Sequence, residues 1–387
     1  SNITLSGGNI TLQGGITATN SANTSVITET ISSNITLGAN QTWTVNNGGS
    51  IGTANLTVSG IISGANRRLT KAGNGTLILS GLNTFSGGTT IDGGTLQLKA
   101  AATNAFNTGN LTYNINNAST LRLSTGAASN PTGQGMVVNF DSNGGGTLTL
   151  DSGLNFLLQN TGFFINTNGG AQNLLSSAGG NINDQGTATA VIFDVASGSN
   201  ATADLLVTGG LSNRSGLTKN GTGKLLFQNT TIGSGAGIFD IRINQGTMEF
   251  GGTSTLNQYS GRAFTNNGTL SWNSTANQTI ANAITGTGNL TKSNTSTLTL
   301  SNSTTNYTGL TTVNAGTLAI GNNMTIGALA GTGGMGRVYK STHLGLDKTV
   351  CVKLLKPALL AFGVIALFVA AFIIFNTFSI TVAQRLR

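Results

Sequence analysis

Along most of the chain, aliphatic residues recur at every second position. Leu77 and Leu79, Leu96 and Leu98, Leu148 and Leu150, Leu298 and Leu300, and Leu318 and Ile320 are each separated by one residue. A period of two places such pairs on one face of a β-strand and their neighbours, largely Thr, Ser and Asn, on the other. Clusters of Gly and Asn between these runs suit corners that require positive φ. No long helical periodicity interrupts the pattern before residue 358, so the body is predicted to be all-β.

The pattern repeats. Asn-Ile-Thr-Leu recurs at 2–5, 9–12 and 34–37. A longer unit spans 69–98 (LTKAGNGTLILSGLNTFSGGTTIDGGTLQL) and 290–320 (LTKSNTSTLTLSNSTTNYTGLTTVNAGTLAI), with a looser copy at 217–250. Each copy opens on Leu-Thr-Lys and closes on Gly-Thr followed by an apolar-x-apolar triplet. Short strands at such a spacing fit a β-solenoid or an array of small sandwiches or barrels. A unit of roughly 30 residues is too small to close its own core. Stacking units covers each apolar edge with the next, which favours the solenoid.

Composition agrees. Of the 387 residues, 57 are Gly and 7% are charged, against about 25% charged in an average domain. So few charges argue against exposed helices, while 38% hydrophobic residues suffice for a core. The net charge of +8 is unevenly placed. Residues 1–325 hold 11 Lys and Arg against 9 Asp and Glu, a balance of +2, and 326–387 hold 7 against 1, a balance of +6. Nucleic-acid binding, which needs clustered cations on the body, is not expected. The one cysteine, Cys351, lies in the tail, so the body has neither a disulfide framework nor a thiolate metal site. The N-terminus lacks a basic segment and an apolar run, so no signal peptide is read there.

Candidate chemistry in the body is confined to Glu29, Asp92, Asp141, Asp151, Asp184, Asp194, Asp204, Asp240 and Glu249. Glycoside hydrolysis needs two carboxyl groups facing one bond. Asp141 and Asp151 flank one strand and so sit at its opposite ends. Asp184, Asp194 and Asp204 recur every ten residues, either by coincidence or as successive turns of a solenoid. An Asp beside Gly or Asn is usually a turn-former, and that is the reading adopted. With no His before residue 343, His-based acid–base chemistry is excluded from the body. No metal, calcium included, and no cofactor is expected, and Asn-x-Thr triplets such as Asn2-Ile3-Thr4 are put down to composition.

The unit at 69–98 closely resembles the autotransporter-associated β-strand repeat of bacterial autotransporter passengers, and 290–320 resembles it well. The stretches ITLGANQTWTV (35–45) and LTVSGIISG (56–64) are similar to upstream rungs of that family, whereas 99–210 loses the signature. The resemblance implies a right-handed parallel β-helix exported to the cell surface, serving mainly as a stalk. Such passengers normally end in a membrane β-barrel translocator, for which no segment is read here.

The tail reads differently. GTGGMGRVYKSTHLGLDKTVCVKLLKP (331–357) resembles the start of bacterial Ser/Thr protein kinases. Gly331, Gly333 and Gly336 fit the phosphate loop and Lys353 the phosphate-binding lysine. No acidic residue follows Lys353, so the catalytic and metal-binding carboxylates of a kinase are missing and no phosphoryl transfer is expected. Residues 358–387 begin with an uncharged apolar run long enough to insert in a bilayer over 358–384. They resemble one helix of ABC-transporter permeases of the lipoprotein-release type. Basic residues flank both ends, so orientation is not set by charge. The junctions share short words with both neighbours, which predicts a composite chain.

The sequence therefore predicts a solenoid over 1–330, a kinase-like fragment over 331–357 and an apolar helix over 358–387. The expected role is a non-enzymatic, secreted or surface-exposed passenger segment meeting cell-surface, glycan or matrix ligands. A carbohydrate-active β-helix is the alternative, and a nucleotide sensor built on the tail a third.

Overall fold

The computed structural model describes residues 2–353 without 22–24, 50–51, 101–111, 126–131, 134–135, 153, 159–162, 178–180, 185–190, 201, 214–215, 234–239, 322–323, 331–336 and 342–348. The described residues form a parallel β-solenoid with no α-helix. The chain winds through three faces in a fixed order. One face is a 15-stranded sheet running from Thr4–Leu5 to Leu329–Ala330, and the face from which the chain returns to it is a 13-stranded sheet from Ile16–Thr19 to Asn306–Tyr307. The third face is divided into sheets of 3, 6 and 5 strands. Strands on one face pair with the turn before and the turn after, all in parallel, until Arg337–Ser341 meets Thr349–Lys353 in antiparallel.

Why these residues stack follows from parity. All ten positions of the alternating pairs named above are buried. In-register pairing then aligns them along the solenoid axis. One interior column runs Leu56, Leu77, Leu96, Leu121, Leu148 and Leu175. It continues as Val207, Phe227, Phe250, Trp272, Lys292 and Val313. Within it, Phe227 and Phe250 stack at 5.5 Å between ring centroids, and Phe250 and Trp272 at 4.8 Å. The segment 99–210, which lacks the repeat signature, keeps the same stacking through Thr120–Thr125, Thr147–Leu150 and Asn173–Ser177. Turn length is free to vary, from Thr76 stacking on Thr95 to Asn173 stacking on Leu205, because extra residues leave at corners.

The repeat units are not tied to one face. Leu-Thr-Lys lies on the 13-stranded sheet at 69–71 and at 217–219, but on the 15-stranded sheet at 290–292. Between the second and third units the chain has advanced by one face. Stacking is decided between neighbouring turns only, so nothing penalises such an advance.

Candidate functional site

The residues that most distinguish the repeat from ordinary strands are its lysines. In Leu-Thr-Lys, Lys has the parity of the buried Leu and therefore points inward. Lys71, Lys219 and Lys292 are all fully buried. Each ends against three backbone carbonyls at a corner. Lys71 Nζ donates to Ala72 O (2.9 Å), Gly73 O (2.8 Å) and Gly93 O (2.9 Å). Lys219 Nζ donates to Asn220 O (2.6 Å), Gly221 O (2.8 Å) and Gln245 O (3.3 Å). Lys292 Nζ donates to Ser293 O, Asn294 O (2.8 Å) and Ala315 O (3.4 Å). An ammonium has three donors, and three carbonyls satisfy them.

The corner is built for this. The second acceptor is always a residue with positive φ: Gly73 at 77°, Gly221 at 74° and Asn294 at 67°. That left-handed step is open to Gly and tolerated by Asn. The third acceptor comes from the next turn and precedes Gly94, Gly246 or Gly316, where an added Cβ would lie within 2.3–2.4 Å of a carbonyl oxygen of the turn below. Each lysine thus ties its own corner to the corner stacked on it. The unit at 217–250 carries the same arrangement as the other two, which establishes it as a structural copy.

Burial lowers the Lys71, Lys219 and Lys292 pKa values to about 8; at Lys219, Asp194 and Asp204 oppose the fall. The ammonium therefore persists at neutral pH. Between pH 8 and the ordinary lysine value of 10.5 the unfolded chain holds protons that the folded chain has released. Stability is therefore expected to rise with pH across that window. Thermal melts of the wild type against the Lys71→Met, Lys219→Met, Lys292→Met triple variant would check this, the wild type alone showing the rise.

The carboxylates are dispersed, and most that are described serve corners. Asp141 accepts from Asn117 N, Asn143 Nδ2 and Gly144 N. Asp92 accepts from Asn116 Nδ2 at 2.6 Å. Asp204, nearly buried, accepts from Gly198 N and Lys224 N, both at 2.7 Å. Asp151 pairs with Arg122 and holds its guanidinium above its ordinary pKa. Glu249 receives Lys224, Ser271 and Asn273, and Asp240 pairs with Arg242. Asp194 belongs to an outward column of Asn114, Asn139, Asn166, Asp194 and Asn220, which Asn244 extends by donating to Asn220. Amides in that column hydrogen-bond from turn to turn, as Asn139 to Asn114 and Asn166 to Asn139 do.

The ten-residue spacing of Asp184, Asp194 and Asp204 has a different meaning from either reading considered above. Asp184 is on a strand of the third face, Asp194 on the 13-stranded sheet, and Asp204 leads into Leu205–Val207 of the 15-stranded sheet. They mark three successive faces of one winding, not three successive turns. Among the described residues no group of three metal-ligating side chains forms.

Of the kinase-like residues, Gly331, Gly333 and Gly336 lie outside the described residues, as do 358–387. Lys353 ends the strand Thr349–Lys353, opposite Arg337. No described helix is long and apolar enough to cross a membrane.

Against known proteins, the family described as Passenger-associated-transport-repeat matches residues 69–98 and 290–320. Two of the units are thus similar to a passenger repeat. This is consistent with an autotransporter passenger, and the kinase-like and permease-like readings of 331–387 gain no support. No curated protein and no solved structure matches the chain.

Sequence reasoning took Leu-Thr-Lys as a label for the repeat and missed what its lysine does. The signal was present in the parity of Lys71 with Leu69.

Proposed function

We propose that the chain is a non-enzymatic passenger segment exported to the bacterial cell surface or beyond it, where it acts as an adhesin-like stalk. The match of two repeat units to a passenger family carries this reading. The engagement of Asp92, Asp141, Asp151, Asp204, Asp240 and Glu249 in corners and ion pairs supports it, because side chains so committed and so dispersed do not face one bond as a catalytic pair must. Its ligands would be glycans, matrix or other surface molecules meeting the Asn- and Thr-rich outer faces. The segment 358–384 would add at most an anchor.

The full chain, incubated with immobilised glycans and matrix proteins and separately with soluble polysaccharides, is expected to bind without releasing products. Accumulation of reducing ends or unsaturated sugars would overturn the proposal in favour of a carbohydrate-active β-helix.

A further inference from the structure

On the outward side of the 13-stranded sheet, strand positions are mostly Thr and Asn. Among the described residues, apolar side chains larger than Ala take only three of them: Val137, Phe164 and Ile192. These three stand in register on successive turns. Each is half-buried and alternates with core residues, Met136 and Val138, Phe163 and Ile165, and Val191 and Phe193. The same column holds Thr112 on the turn before and Thr218 on the turn after. Two residues along each strand runs the amide column, here Asn139, Asn166 and Asp194. Asn166 Nδ2 donates to Asn139 Oδ1 at 2.7 Å, and Asn139 Nδ2 to Asn114 Oδ1 at 2.9 Å. The ladder stops at Asp194, because a carboxylate only accepts. Asn166 Oδ1 and the Asp194 carboxylate are thus acceptors on adjacent turns, and no side chain among the described residues donates to either.

We infer that this strip binds a glycan chain without acid groups, an inference that rests on the adhesin-like reading above. The apolar column offers C–H and π surface to the C–H faces of sugar rings. Sugar hydroxyls bring the donors that Asn166 Oδ1 and Asp194 lack, whereas an apolar partner would strip both acceptors of water and leave them unpaired. Turns stacked about 4.8 Å apart give each sugar of an extended chain about one rung. Three rungs by two columns measure roughly 15 Å by 10 Å, far less than the roughly 800 Å² a side of a stable protein interface. Charge selects among glycans. Residues 123–213 hold Asp141, Asp151, Asp184, Asp194 and Asp204 but no Lys or Arg, so an acidic chain is repelled.

Titration calorimetry of the full chain, in a detergent without a sugar head-group, tests this with linear hexamers of glucose, mannose, galactose and galacturonate. At least one neutral hexamer is expected to bind, and the galacturonate hexamer at least about tenfold more weakly. Phe164→Thr puts in that column the residue that Thr112 and Thr218 already supply, and is expected to weaken neutral binding at least about tenfold. Asp194→Asn is expected to weaken it too, because the new amide donates to Asn166 Oδ1 and closes the ladder. Ile78→Thr, outward on the 15-stranded sheet, should bind as the wild type does. Unchanged melting of the variants shows that the body stays folded. Neutral binding indifferent to both Phe164→Thr and Asp194→Asn overturns the inference, yet leaves the adhesin-like stalk standing with its glycan site elsewhere. Binding of no neutral hexamer, or a preference for galacturonate, overturns it as well. If immobilised glycans and matrix proteins are then also unbound, the adhesin-like reading falls with it. Matrix-protein binding that both variants abolish, with no hexamer bound, gives the strip to a protein partner and overturns the glycan.

Discussion

Lys219→Met is expected to destabilise the turns around 217–250 by about 3 kcal/mol, since leaving a buried acceptor unsatisfied costs about 1–3 kcal/mol and several are affected. Methionine fills the volume of the lysine stem but donates nothing to Asn220 O, Gly221 O and Gln245 O, which converge on Nζ in the wild type. Two of those carbonyls belong to one corner and the third to the corner above, so their loss separates adjacent turns. Hydrogen exchange would report it as faster exchange, by about a hundredfold, at amides of Leu217–Asn220 and Ile241–Ile243. Lys99, exposed on its strand, is the control. Lys99→Met should change stability by less than about 0.5 kcal/mol. Exchange in Lys219→Met equal to that of the control would mean that the corner does not depend on the ammonium.

A second large effect is expected at the aromatic stack. Phe250 is fully buried between Phe227 and Trp272 in the interior column. Phe250→Ala should cost about 3–5 kcal/mol, the usual range for deleting a core phenylalanine. Stacking on both sides places the effect toward the upper end. Because each turn of a solenoid touches only its neighbours, the loss should stay local, between Lys224–Gln228 and Thr269–Ser274. Trp272 fluorescence would shift toward that of a hydrated indole, while amides near Thr76–Leu79 stay protected. Leu82→Ala, at a side chain 41% exposed, should leave both readouts unchanged. Loss of protection along the whole molecule would instead mean that the solenoid unfolds as one cooperative unit.

The two variants probe parts of the molecule that differ in how readily they are read. The inward positions were legible: alternation identified Leu77, Leu96, Leu148, Leu298 and Leu318 as core, and all are buried. The three repeat units were legible by self-similarity, including 217–250, where the Lys219 corner matches the others. The stretch 99–210 was harder, since it keeps strand parity without the signature; its pairing is continuous all the same. The corner cages were half legible. Parity sends Lys71, Lys219 and Lys292 inward, but the acceptors Gly93, Gln245 and Ala315 come from the following turn. Sequence distance alone does not reveal which carbonyl a turn of variable length will bring near.

By itself, the sequence determined the local chemistry of each turn: which residues face inward, where left-handed corners fall, and that a unit this small must stack to bury its apolar side. Those are properties of a few consecutive residues, set by strand parity and by the positive φ available to Gly73, Gly221 and Asn294. Only the tertiary structure decided how turns meet. It placed Asp184, Asp194 and Asp204 on three faces of one winding, and it moved the last Leu-Thr-Lys one face ahead of the others. The reason is that stacking depends on where the previous turn ended, and corners of unequal length make that a sum over the whole chain before it.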